Sequence, residues 1–139
     1  MSGSYVVGPV CIGDNCDIGP NAVILPGTSI GSNCTIEPFT RISNSILMKN
    51  VKVASFNNIS SSIIGEGVST GSHFVADAAE TRVEMDGTMM KACMGAAIGD
   101  NTEIAGRVLI SPGRIVGVRC RIGAGAIVRE NLPDNTRIL

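Results

Sequence analysis

Aliphatic residues recur every six positions along most of this chain. Val6, Ile12, Ile18, Ile24, Ile30, Ile36 and Ile42 form one unbroken series, and Ile98, Ile104, Ile110, Val116, Ile122 and Val128 form a second. Glycine often follows the aliphatic, as at Gly13, Gly19, Gly31, Gly99, Gly117 and Gly123. Four positions after each aliphatic of the first series stands a second column, Val10, Cys16, Ala22, Thr28, Cys34 and Thr40, and all of its members are small. Neither the helical period nor simple alternation produces a period of six. A three-sided prism does. Each hexapeptide supplies one short extended strand and one corner, and three hexapeptides close one coil. The β-branched side chain suits an extended backbone and points inward. The small residue fills the space beside the corner, and glycine lets the corner turn. Successive coils stack at the ordinary strand spacing of about 4.8 Å, with parallel backbone hydrogen bonds. The pattern therefore predicts an all-β, parallel β-helix with an inner wall of Ile and Val.

Two stretches leave this register. Over residues 43–63 the phase slips, which predicts continued coils with a small insertion. Over residues 77–95, the segments Arg82-Val83-Glu84-Met85 and Thr88-Met89-Met90-Lys91 flank Asp86-Gly87, a strong hairpin-turn dipeptide. A loop or β-ribbon leaving the prism is predicted there. Long excursions from compact domains commonly carry function; a solvated flap or an arm packed on a neighbouring subunit are the other readings. Arg114 falls in the inward small column, a place that a local shift of Ile115 would fill. The chain enters its first coil without a capping element, so residues upstream are expected to be missing. The repeat is lost at Leu132-Pro133.

Composition narrows the class. The 139 residues make one domain with 44% hydrophobic but only 3% aromatic residues, so the core is built of small aliphatics. High aliphatic content and a net charge of -1 exclude disorder. A pI near 5.7 argues against a nucleic-acid partner held by bulk charge. No apolar run approaches the roughly 20 residues that cross a bilayer as a helix. No secretory signal pattern opens the chain, and a cytoplasmic location with no membrane partner is expected. The five cysteines, Cys11, Cys16, Cys34, Cys93 and Cys120, show no C-x-x-C spacing and read as reduced, buried thiols.

The repeat resembles the hexapeptide-repeat family, which implies a left-handed parallel β-helix over nearly the whole chain, against the usual right-handed crossover rule. A γ-type carbonic anhydrase within that family needs three metal-ligating His, and this chain has only His73, so no metal is expected. The segment ASFNNISSSIIGEGVSTGSHFVAD, the excursion, then MGAAIGDNTEIAG and ISPGRIVGVRCRIGAGAIV are similar to one branch in particular. This branch is the C-terminal domain of sugar-1-phosphate nucleotidylyltransferases, including bifunctional uridylyltransferase/glucosamine-1-phosphate acetyltransferases. There a segment of type H-L-x-Y-x-G-D-x-x-I-G precedes G-A-G-T, a variable ribbon and I-I-G-D.

The resemblance implies a homotrimer, acetyl-CoA as co-substrate and a sugar phosphate as acceptor. It also places the family's functional residues. The catalytic His falls on Ser55, the Tyr on Asn58, the Gly-Asp on Ser60-Ser61 and the Asn on Ser69, while G-A-G-T becomes Gly71-Ser72-His73-Phe74. N-acetylation needs a base with a pKa near neutrality, which a serine hydroxyl does not provide. His73 is then either a displaced base or a histidine at a subunit contact. Five of the eleven basic residues, Arg107, Arg114, Arg119, Arg121 and Arg129, lie in an interval free of acids, and Arg suits phosphate. Arg119 and Arg121 are the candidates for the phosphates of coenzyme A; solubilising corner charge is the other reading. The Gly-rich nucleotide loop of the family's N-terminal domain is absent, so nucleotidyl transfer is not expected of this chain. Two functions stay open: an acyltransferase-type domain, or a non-catalytic trimerisation domain of a nucleotide-sugar synthase.

Overall fold

The computed structural model describes residues 4–138, with the backbone alone at 81–85 and 90–92. The chain winds as a left-handed parallel β-helix with three flat faces. The first face stacks Tyr5–Val6, Val23–Ile24, Arg41–Ser43, Asn58–Ser60, Val75–Ala76, Leu109–Ile110 and Ile127–Val128. The second stacks Val10–Ile12, Thr28–Ile30, Ile46–Leu47, Ile63–Ile64, Ala97–Ile98 and Ile115–Val116. The third stacks Asp17–Ile18, Thr35–Ile36, Lys52–Val53, Ser69–Thr70, Glu103–Ile104, Arg121–Ile122 and Arg137–Ile138.

The period-six column is the core. Ile24, Ile42, Ile59 and Ile64 are fully buried, and each stabilises the fold by about 1.5–3 kcal/mol over an exposed side chain. The small column also points inward: Ala22, Cys34, Val51, Val68 and Val108 are buried beside the corners. Burial pushes the Cys34 thiol pKa up, so it stays protonated and inert. Cys120 is buried too, whereas Cys11 and Cys93 are exposed; all five cysteines are free. Asn is the residue that the corners most often place in the left-handed region, for example Asn15, Asn33, Asn50 and Asn101 with φ of 58°, 61°, 60° and 57°. Asn tolerates that conformation better than other side-chain-bearing residues.

The slip over 43–63 is a shortening rather than an insertion. Arg41 pairs with Asn58, Ile46 with Ile63 and Lys52 with Ser69, so each of these coils is a single residue shorter than three full hexapeptides. The missing residue is lost where the first face meets the second. There the serines take over the hydrogen bonding. Ser45 Oγ donates to the Ser43 carbonyl at 2.7 Å and accepts from Ser62 N at 3.1 Å. Ser62 Oγ donates to the Ser60 carbonyl at 2.8 Å and accepts from Ala96 N at 3.0 Å. Short side chains that bond their own backbone make the tight corner possible.

One coil later, the same corner emits a two-stranded antiparallel ribbon, Ala79–Met85 paired with Thr88–Met94. Its root is fixed on both sides. Ser60 Oγ donates to Asp77 Oδ1 at 3.2 Å and accepts from Ala78 N at 2.9 Å. Gly95 returns the chain where a Cβ would strike the Ser60 carbonyl and the Ser62 hydroxyl. Ile115 does not replace Arg114 inside the prism: it points outward at 51% exposure, and Val116 is the buried residue of that strand. Gly113 and a half-exposed Arg114 occupy that corner, so the inward small column is interrupted there.

Candidate functional site

The sequence-predicted residues gather around the corner that joins the third face to the first. Ser55 and His73 stand on consecutive turns of this corner, and the His73 amide donates to the Ser55 carbonyl at 3.1 Å. Ser55 is held from above, its amide donating to Glu37 Oε2 at 3.1 Å. Asn58 opens the first-face strand that follows, and its Oδ1 accepts from Arg41 Nη1 at 3.3 Å. Ser69 opens the third-face strand that leads into the corner at His73.

Arg121 lies on the same face as Ser69, with Glu103 between them in the stack. Ser69, Glu103 and Arg121 line one shallow depression of about 380 Å³. A second, of about 210 Å³, continues from Ser69 towards Lys52 and Glu37. Arg121 Nε reaches Glu103 Oε2 at 3.7 Å, but both side chains are about two-thirds exposed, so the pair contributes little. Arg119 is not brought to this group. It stands on the far corner of the third face, where its Nε donates to Asn135 Oδ1 at 3.1 Å. The ribbon is also apart from His73, because the strand Val75–Ala76 separates them and the ribbon leaves from the next corner.

Sequence reasoning missed what His73 packs against. Its imidazole lies flat on Phe56, with centroids 5.1 Å apart and planes 12° from parallel, and Phe56 lies flat on Phe39 at 5.2 Å and 8°. The three rings form a ladder down the corner. The signal was present, since Phe39, Phe56 and His73 are evenly spaced at the length of one shortened coil.

A family model described as the GMPPB C-terminal domain matches residues 6–83, more than half of the chain. The chain belongs to the GMPPB C-terminal domain family. The strands from Val10–Ile12 to Val75–Ala76, with Ser55, Asn58, Ser69 and His73, all lie inside the matched span of that family. The chain is also similar to the bifunctional protein GlmU of Methanocaldococcus jannaschii, at 29% identity over 125 residues, covering 85% of this chain and 31% of that protein. The GlmU protein of Methanococcus vannielii is 32% identical over 122 residues, covering 83% of this chain and 30% of that one. The chain thus spans about a third of the length of these curated relatives. Among solved structures, PerB from Caulobacter crescentus, crystallised with CoA and GDP-perosamine, superposes with a TM-score of 0.70 at 17% identity, over 87% of this chain and 53% of that one. This likeness is one of fold. This member of the GMPPB C-terminal domain family is thereby a hexapeptide-repeat β-helix related to GlmU-type C-terminal domains.

Among the described residues, no group of three or more His, Cys, Asp or Glu is placed to hold a metal ion. Nor is any helix long and apolar enough to cross a membrane.

Proposed function

We propose that this chain is a trimer-forming, acyltransferase-type β-helix domain of a sugar-1-phosphate nucleotidylyltransferase-like protein. The observation that carries self-association is the contrast between two faces. Along the outer side of the second face run Cys11, Ser29, Ile46, Ile63, Ala97 and Ile115, none of them charged. Ile46, Ile63 and Ile115 are 42%, 48% and 51% exposed. The third face instead presents Asp17, Lys52, Glu103, Arg121 and Arg137 to solvent. An uncharged, isoleucine-bearing stripe of this kind marks an interface, and a second copy of the chain is its occupant. Sedimentation equilibrium tests this: three chains per particle are expected, and a monomer at all concentrations overturns it.

A second reading, CoA-dependent N-acetylation of a sugar phosphate, is favoured by one observation. His73 is exposed directly beside Ser55, where the family's catalytic His would fall, and Ser69 and Arg121 share a depression on the adjoining face. In that reading the sugar amine attacks the thioester carbonyl. A C–N bond forms, the C–S bond breaks, His73 takes the amine proton and the CoA thiolate leaves. Arg121 would meet a phosphate, while Ser55, Asn58 and Ser69 would orient the acceptor. Calorimetry with coenzyme A, followed by thiol release from acetyl-CoA in the presence of glucosamine-1-phosphate, decides it. Turnover lost in His73→Ala supports acetyl transfer. No heat of binding at millimolar coenzyme A removes it and leaves a non-catalytic trimerisation domain.

A further inference from the structure

The ring ladder is costly as it stands. Phe39, Phe56 and His73 hold φ of 64°, 61° and 60°, in the left-handed region that Asn or Gly fills at most of the other corners. For a side chain as bulky as Phe that conformation is a genuine outlier, worth about 1–2 kcal/mol per residue. The rings are also left in solvent: Phe39 is 54% and Phe56 53% exposed. Phe56 has a ring on each face, Phe39 on one side and His73 on the other, so its apolar rim is what it presents to solvent.

The ladder continues into a cation. Arg107 occupies the next turn of the same corner, with φ of 59° and its amide donating to the Ser72 carbonyl at 2.8 Å. At the opposite end Glu37, exposed, stands just before Pro38 and Phe39. The ridge therefore reads Glu37 and Phe39, then Phe56, then His73, then Arg107. Turned end for end, this series complements itself. Arg107 of one copy meets Glu37 of the other as a guanidinium on a carboxylate, and the apolar rims of Phe56 and Phe39 lie along the partner ridge between these two charge pairs. A patch that is complementary to its own two-fold image makes a closed, isologous contact. Exposed Phe and Arg side chains on a convex ridge are also the side chains that anchor protein interfaces.

We propose that the Phe39–Phe56–His73–Arg107 ridge is a docking surface for a second copy of this chain, paired antiparallel about a two-fold axis between Phe56 and His73. The ridge lies on the corner opposite the second face of the triangular section. It thus stays outside a trimer built on that face and would join one such particle to another. The contact goes beyond the trimer proposed above and does not rest on it.

Sedimentation equilibrium over a concentration series reads the contact. Phe39→Asn combined with Phe56→Asn removes the rings and installs the residue that the same corner already carries at Asn21, so the fold is expected to persist; circular dichroism and thermal unfolding check that it does. The wild-type chain should show a concentration-dependent doubling of mass that this double variant lacks. Glu37→Arg alone and Arg107→Glu alone should each abolish the doubling, and the two together should restore it. A wild-type mass that never doubles overturns the proposal, as does doubling that survives in the folded Asn variant. Failure of the combined charge reversal to restore it assigns the ridge to a different partner and overturns it equally. Loss of the trimer reading would appear separately, as a basal particle that is not three chains.

Discussion

Asn57 is the residue on which the middle coils depend most. It sits in the inward small column with 2% exposure, and its Nδ2 donates to Thr70 Oγ1 at 2.7 Å while its Oδ1 accepts from Phe74 N at 2.9 Å. Truncation leaves the buried amide of Phe74 without that partner, and an orphaned buried group costs about 1–3 kcal/mol. Asn57→Ala should therefore lower stability by about 2 kcal/mol in urea unfolding with the slope unchanged, whereas Asn58→Ala, on the outer side, should stay within about 0.5 kcal/mol. At this scale the sequence was legible for most of the aliphatic column, because β-branched residues repeat there every six positions; Leu47, Thr70 and Ala76 take that place in the middle coils, and Val6 at the open end is 40% exposed. It was not legible for Asn57, since an Asn at a corner reads as a turn residue and nothing local says that it faces in. Phe39 and Phe56 were passed over for the converse reason: aromatic residues are expected inside, and here a corner conformation points them out.

Strands and corners follow a simple rule except where the first face meets the second. Ile42 and Leu47 are five positions apart, as are Ile59 and Ile64, although all four are buried in one continuous core. Five against six looks like lost phase in a linear reading. In three dimensions it is one corner made tighter by serine hydroxyls, so the strands stay aligned. The ribbon was visible from Asp86-Gly87 and its flanking strands, but the way Ser60, Ser62 and Gly95 close its root was not. Because the two ribbon strands pair with each other and the root is closed independently, the ribbon is dispensable to the stack. Replacing Ala79–Met94 by a short Gly-Ser link should change the melting temperature by less than about 5 °C. Gly95→Ala, which drives a methyl into the Ser60 carbonyl, should lower it by more than the whole excision does.

For the molecule as a whole, the decisive property is that three faces with one common interior carry different exteriors. The interior was readable from periodicity wherever the period of six holds, and not through the shortened coils. The exteriors required knowing which residue of each strand faces out and what lies above and below it, and that depends on the register of the shortened coils. Ile63 is flanked in the stack by Ile46 and Ala97 and faces solvent. A charge at its centre would be desolvated by any partner on the second face. Ile63→Asp should consequently reduce the proposed three-chain particle to single chains in sedimentation, with circular dichroism unaltered because the side chain is not part of the core. Retention of three chains by this variant would move the trimer contact to another face.

The backbone bonds also dictate how the chain can assemble itself. Nearly every rung is tied to its partner a single coil earlier, so each turn can be laid down as soon as one further turn's length of polypeptide is free. Winding meets one interruption. Ile63 must wait for Ala97, which lies twice as far along the chain as its partner on the other side, Ile46, before the second face can be extended. Doubling the span adds only about 0.6 kcal/mol of closure entropy, and a ribbon that zips early brings Ala78 and Gly95 together beforehand. The excursion thus adds one longer closure, at little cost, to a process that otherwise advances like thread onto a spool.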